Sequence, residues 1–187
     1  MFTEEEKAFL ARITRTMQII VGAMAAGVVS FFVAVLFITA NKAQQPPEMP
    51  MLSYMAIAIA PAAILVALLY PGFVRRRERK AIVSGTTASN AVSPSGTPLT
   101  YVEQQLMPLV GGYQTALIIR SAILEGAAFF ALVTYMIEGQ TSSLIAAGML
   151  LLFILAGMPT RGRVEEAVGH ERRAIEELRQ MGAVDAR

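Results

Sequence analysis

No cysteine occurs among these 187 residues, which removes disulfides, thiolate nucleophiles and cysteine metal sites together. Tryptophan is missing too, so aromatic anchoring at a membrane interface falls to Tyr54, Tyr70, Tyr101, Tyr113 and Tyr135. The single histidine, His170, lies in a polar tail and is expected to be a solvated side chain. Charge is scarce: 16% of residues are Asp, Glu, Lys or Arg, against 55% apolar. There is no Ser/His/Asp set, no pair of intramembrane acids and no phosphate loop. The expectation is a non-enzymatic protein with no cofactor, no metal and no nucleic-acid partner.

What remains is apolar sequence gathered into four blocks, with a mean hydropathy of +0.52. An all-α integral membrane protein follows. The blocks predict spans over about 16–40, 52–74, 113–137 and 143–158. The first is too long for the apolar core of a cleaved signal peptide and reads as a signal anchor. The last is short for a helix along the membrane normal, so its ends must reach into polar flanks.

Thr3 and Glu6 form a capping box ahead of a short amphipathic helix, Phe9, Leu10, Ile13 and Met17 recurring at helical spacing. Thr100 and Glu103 repeat the arrangement before the third block, where Pro108 and the Gly111-Gly112 pair are expected to end the short helix. Pro61, midway through the second block, predicts a kink there. Residues 81–98, rich in Ser, Thr, Gly and Pro, predict a flexible linker. The organisation is thus a first unit over 1–80, a linker over 81–98, a second unit over 99–160 and a helical tail over 161–187. In that tail Arg172/Glu176 and Arg173/Glu177 are neighbours one turn apart. Its thin apolar seam, Val164, Val168, Ile175 and Leu178, allows either docking on the protein's own base or lipid surface, or a short coiled coil.

Placing the first span on the third with an offset of 99 aligns Thr16/Thr115, Ile19/Ile118, Ile20/Ile119, Ala23/Ala122, Gly27/Gly126, Phe31/Phe130 and Ile38/Ile137. The expectation is two tandem helical hairpins entering from one side. Three basic residues precede the first span, five lie in RRRERK and six in the tail, whereas Lys42 alone lies in the opposite loops. By the positive-inside rule both termini are cytoplasmic in a bacterial inner membrane. Arg75, Arg76, Arg77, Arg79 and Lys80 suit anionic lipid headgroups.

Small residues every fourth position, Gly22, Ala26 and Ser30, form a stripe on the first span that lets another helix approach, within the chain or from a second copy. On the third span, Arg120 and Glu125 are carried inside the apolar block. Arg120 can extend to headgroups; Glu125 lies about 20 Å from Glu138 along the helix and is too short to do so. Ser121 and Glu125 share a face beside Ala122 and Gly126, the face expected to meet the stripe of the first span. The segment AILEGAAFFALVTYMI resembles the acid-bearing helix of proteolipid rotor subunits of rotary ATPases, which implies an ion- or proton-carrying role for Glu125. The chain departs from that family in lacking its glycine-repeat helix, in its long basic connection and in its cytoplasmic termini. The layout, ending GMPTRGRVEEAV, looks more like small bacterial four-helix membrane proteins. Two functions follow as expectations: a structural or accessory subunit in which Arg120 and Glu125 fix helix packing or dock a partner, or an ion or proton pathway in which Glu125 titrates. The expected partners are the bilayer and either further copies or other membrane subunits.

Overall fold

The computed structural model describes residues 3–40, 50–83 and 101–185, and these form five α-helices with no strand among them. They are α1 (Glu4–Ala40), α2 (Met51–Val83), α3 (Tyr101–Glu138), α4 (Thr141–Ala156) and α5 (Arg161–Asp185). Three are long and apolar enough to cross a membrane, over Glu4–Ala40, Met51–Val74 and Val110–Glu138. The fourth, α4, has 16 residues. At the helical rise it extends about 24 Å, less than a hydrocarbon core.

The first helix starts where backbone donors find acceptors. At α1 the Thr3 N–H donates to Glu6 Oε2 (2.7 Å) and the Glu6 N–H to Thr3 Oγ1 (3.3 Å), the reciprocal pair that the spacing predicts. Breakers are overridden further on. The expected interruption at Pro108 and Gly111-Gly112 does not occur, and α3 runs unbroken through all three. A proline there forgoes one backbone bond, but Leu106 and Val110, on either side, are 2% and 1% exposed, and that burial holds the turn helical. Likewise α2 continues through Pro61, Pro71 and RRRERK to Val83. Thr100 and most of the linker lie outside the described residues.

The chain divides into two compact units. One comprises Met1–Met17, Pro71–Leu117 and Pro159–Arg187. Its core is Phe9, Leu10, Met17, Leu106, Val110, Ala116, Leu117, Val164 and Val168. The first turns of the tail are therefore docked within its own chain: Val164 and Val168 are 0% and 1% exposed. Arg172 approaches Glu6 at 3.4 Å and Glu176 at 3.6 Å, while Arg173 donates to the Gly169 carbonyl. At the start of α1, Lys7 lies 2.8 Å from the exposed Glu4, and this hydrogen-bonded ammonium holds the Glu4 carboxyl below its ordinary range.

The other unit, Gln18–Tyr70 with Ile118–Met158, contains the apolar lengths of α1, α2 and α3 together with α4. Alanine dominates its core: Ala56, Ala60, Ala63 and Ala67 form one buried stripe on α2, and Ala127, Ala128 and Ala131 another on α3. Small side chains bring helix backbones close, which replaces the hydrophobic drive that lipid cannot supply. Outward it shows Leu36, Phe37, Leu65, Leu68, Leu69, Met149, Leu152 and Leu155; among the described residues, all the large apolar side chains left exposed but Phe73 belong to this unit. An exterior of that kind is suited to lipid rather than water.

Candidate functional site

In this second unit only three described residues are charged, Arg120, Glu125 and Glu138, and all stand on α3. At 100° per residue Arg120 and Glu138 share one face of the helix, five turns apart, and Glu125 is turned about 140° from both. Each is directed at a different neighbour.

Glu138 closes the start of α2. Pro50, just ahead of that helix, has no side-chain acceptor to cap it, and the first turn holds no acidic residue. Glu138 supplies the acceptor from 86 residues away. Oε1 accepts the Leu52 N–H at 2.8 Å; Oε2 accepts the Ser53 N–H at 2.8 Å and the Ser53 hydroxyl at 2.6 Å. Ser143 Oγ on α4 donates to Ser53 Oγ at 3.1 Å. Glu138, Ser53 and Ser143 are all buried, so one carboxylate ties the end of α3 to the first turns of α2 and α4. A negative group is also favoured there by the α2 dipole. Sequence reasoning used Glu138 only to mark a boundary; the missing cap at Pro50 was the available signal.

Arg120 meets the opposite kind of helix end. Its Cζ and Nη2 lie 3.2 Å from where a Cβ on Gly157 would sit, and Gly157 is the C-cap of α4. A guanidinium beside terminal carbonyls complements the negative end of a helix. Glycine at 157 is what leaves it room.

Glu125 faces α1. Its Oε1 is 3.6 Å from the Cβ position of Gly27, next to Phe129, whose ring packs edge-on to Phe31 at 5.3 Å between centroids. The two contacts, Gly27 with Glu125 and Phe31 with Phe129, make α1 and α3 run in the same direction past each other. The Glu125 side chain is half-buried, and among the described residues it receives no hydrogen bond and no ion pair. Ser121, one turn before it, is 4% exposed.

Of the small residues singled out in sequence, Gly22 is half-buried, a Cβ there lying 3.8 Å from Met158, whereas Ala26, Ser30, Ala122 and Gly126 are exposed. The side chains of Arg75, Arg76, Arg77, Arg79 and Lys80 lie outside the described residues. Comparison with protein-family models, with curated proteins and with solved structures gives no match for this chain.

Proposed function

We propose that the chain is a non-enzymatic structural or accessory subunit of a bacterial inner membrane, built as four spans in two hairpins with both termini cytoplasmic. In this reading α4 is the fourth span, its short length extended by the Gly157–Thr160 turn. One observation carries the proposal: of the three charged residues described in the apolar unit, two are set against helix ends, Glu138 at the start of α2 and Arg120 at the end of α4. Charges used this way fix helix positions. Catalysis needs instead convergence on a common point about 3 Å from several groups.

Glu125 favours a second reading, an ion or proton pathway, because among the described residues it has no partner and a carboxylate in hydrocarbon marks a functional position by default. One pair of measurements separates the two. The C-terminally tagged protein is extracted gently and its native mass and composition determined, and the purified chain is reconstituted in liposomes for proton and sodium flux, with Glu125→Gln alongside. The accessory reading expects foreign subunits at fixed stoichiometry and flux no greater than in empty liposomes. A homo-oligomer conducting an ion, with conduction lost in Glu125→Gln, would replace it with the pathway reading.

A further inference from the structure

Glu125 lies about 20 Å along α3 from Glu138, too deep for a glutamate to reach water, and nothing among the described residues neutralises it. Glu125 is only partly buried, so part of the residue is open to the outside of the apolar unit. The surface around it differs from the rest of that exterior. Ala122 and Gly126 are about 60° and 100° round α3 from Glu125, on the same side, and both are exposed. Across the seam, Ala23, Ala26 and Ser30 flank Gly27 on α1 and are exposed as well. Elsewhere the unit presents mostly Leu, Ile, Val, Met and Phe, which hold a neighbouring backbone away, and the exposed Ala58 and Ala62 of α2 have no charged residue beside them. At Glu125 a helix can come close.

Charge selects the kind of helix. Arg120, the one cation among the described residues of this unit, is directed at the end of α4, about 7.5 Å along the axis from Glu125 and about 140° around it. A second copy would therefore bring another acid to this face. We infer that the α1–α3 seam at Glu125 docks a transmembrane helix of a different protein that carries a lysine or arginine at the depth of Glu125. The inference rests on the accessory-subunit reading and names the chemistry of the partner.

The test uses the full chain in phospholipid vesicles, with an energy-transfer acceptor on Gln140→Cys. The probe is a synthetic Leu/Ala transmembrane helix with one lysine at its midpoint; the control has leucine there. The lysine helix should associate about tenfold more tightly than the control, the size of a good interhelical polar contact. Glu125→Gln should remove most of that preference. Ala26→Phe, a change at an exposed position, should abolish it by filling the seam with the carboxylate intact. Equal association of the two helices, or a preference that survives both substitutions, overturns the inference. So does self-association of the chain that Glu125→Gln abolishes, since the occupant would then be a second copy. Ion flux dependent on Glu125 would sink the accessory reading itself, whereas equal association without flux sinks only the docking site.

Discussion

Gly27 is where the geometry around Glu125 is most open to test. A Cβ at this position would stand 3.6 Å from Glu125 Oε1 and 3.9 Å from Phe129 Cζ, both ordinary van der Waals separations. Gly27→Ala therefore meets no obstacle. It should leave the protein unchanged or stabilise it by up to about 1 kcal/mol, the conformational cost that glycine carries in a helix. Leucine differs because its Cγ lies about 1.5 Å beyond Cβ, in space already held by the carboxylate and the phenyl ring. Gly27→Leu should cost about 1–3 kcal/mol, the usual range for overpacking. Removing the obstacle should recover part of the loss, so Gly27→Leu with Glu125→Ala should show a coupling of about 1 kcal/mol in a double-mutant cycle. The assay is reversible unfolding in bicelles titrated with sodium dodecyl sulfate and followed by circular dichroism. If alanine cost more than about 1.5 kcal/mol, or leucine were tolerated as well as alanine, α1 and α3 would not meet at this point. The account of Glu125 would go with them.

At the Glu138 clasp, Ser53→Ala removes a buried hydroxyl bonded to the carboxylate and to Ser143, and should cost about 1–2 kcal/mol in the same unfolding assay. There Glu138→Ala should be worse than Glu138→Gln, which keeps one acceptor for the α2 donors; equal effects would refute the capping role. Val168→Asp places a charge in a position 1% exposed and should release α5, seen as new protease cleavage in the tail while α1 to α4 stay protected. Because the chain has no native cysteine, Lys7→Cys, Gln140→Cys and Arg161→Cys each give one clean labelling site. An impermeant maleimide should reach Gln140→Cys from the side opposite to the other two. Labelling of Gln140→Cys and Arg161→Cys from one side would show that α4 does not cross.

Helix formation and membrane character were legible because they follow from composition and local spacing. The Thr3/Glu6 box is an instance, since both partners lie within one turn. The break expected at Pro108 was misjudged because local propensity says nothing about Leu106 and Val110, whose burial depends on segments far away in sequence. Burial also places the start of the tail: Val164 and Val168 read alike in the sequence whether they zip to another helix or dock at home, and Ile175 and Leu178 of the same seam lie outside the residues whose side chains are described. At the candidate site, the types and depths of Arg120 and Glu125 could be read from the chain, but their neighbours could not. That Gly157 makes room for Arg120, and that Ser53 and Ser143 gather at Glu138, depends on contacts between helices that no periodicity encodes. The buried alanine stripe of α2 was equally hidden, because on an apolar helix alanine fits a lipid face as readily as a packed one.

The Glu138 clasp also orders events during synthesis. The α2 donors at Leu52 and Ser53 find their acceptor only when a residue 86 positions after Leu52 has been made. At about 5–20 residues per second, the ribosome leaves that helix end open for roughly 4–17 seconds. Until then the start of α2 carries uncapped amides, and water or lipid headgroups must serve in place of the carboxylate. A chain stopped before residue 138 never receives its clasp, so truncated products should persist as loosely held α1–α2 pairs open to membrane proteases. Completion of α3 is thus the step that locks the first half of the protein.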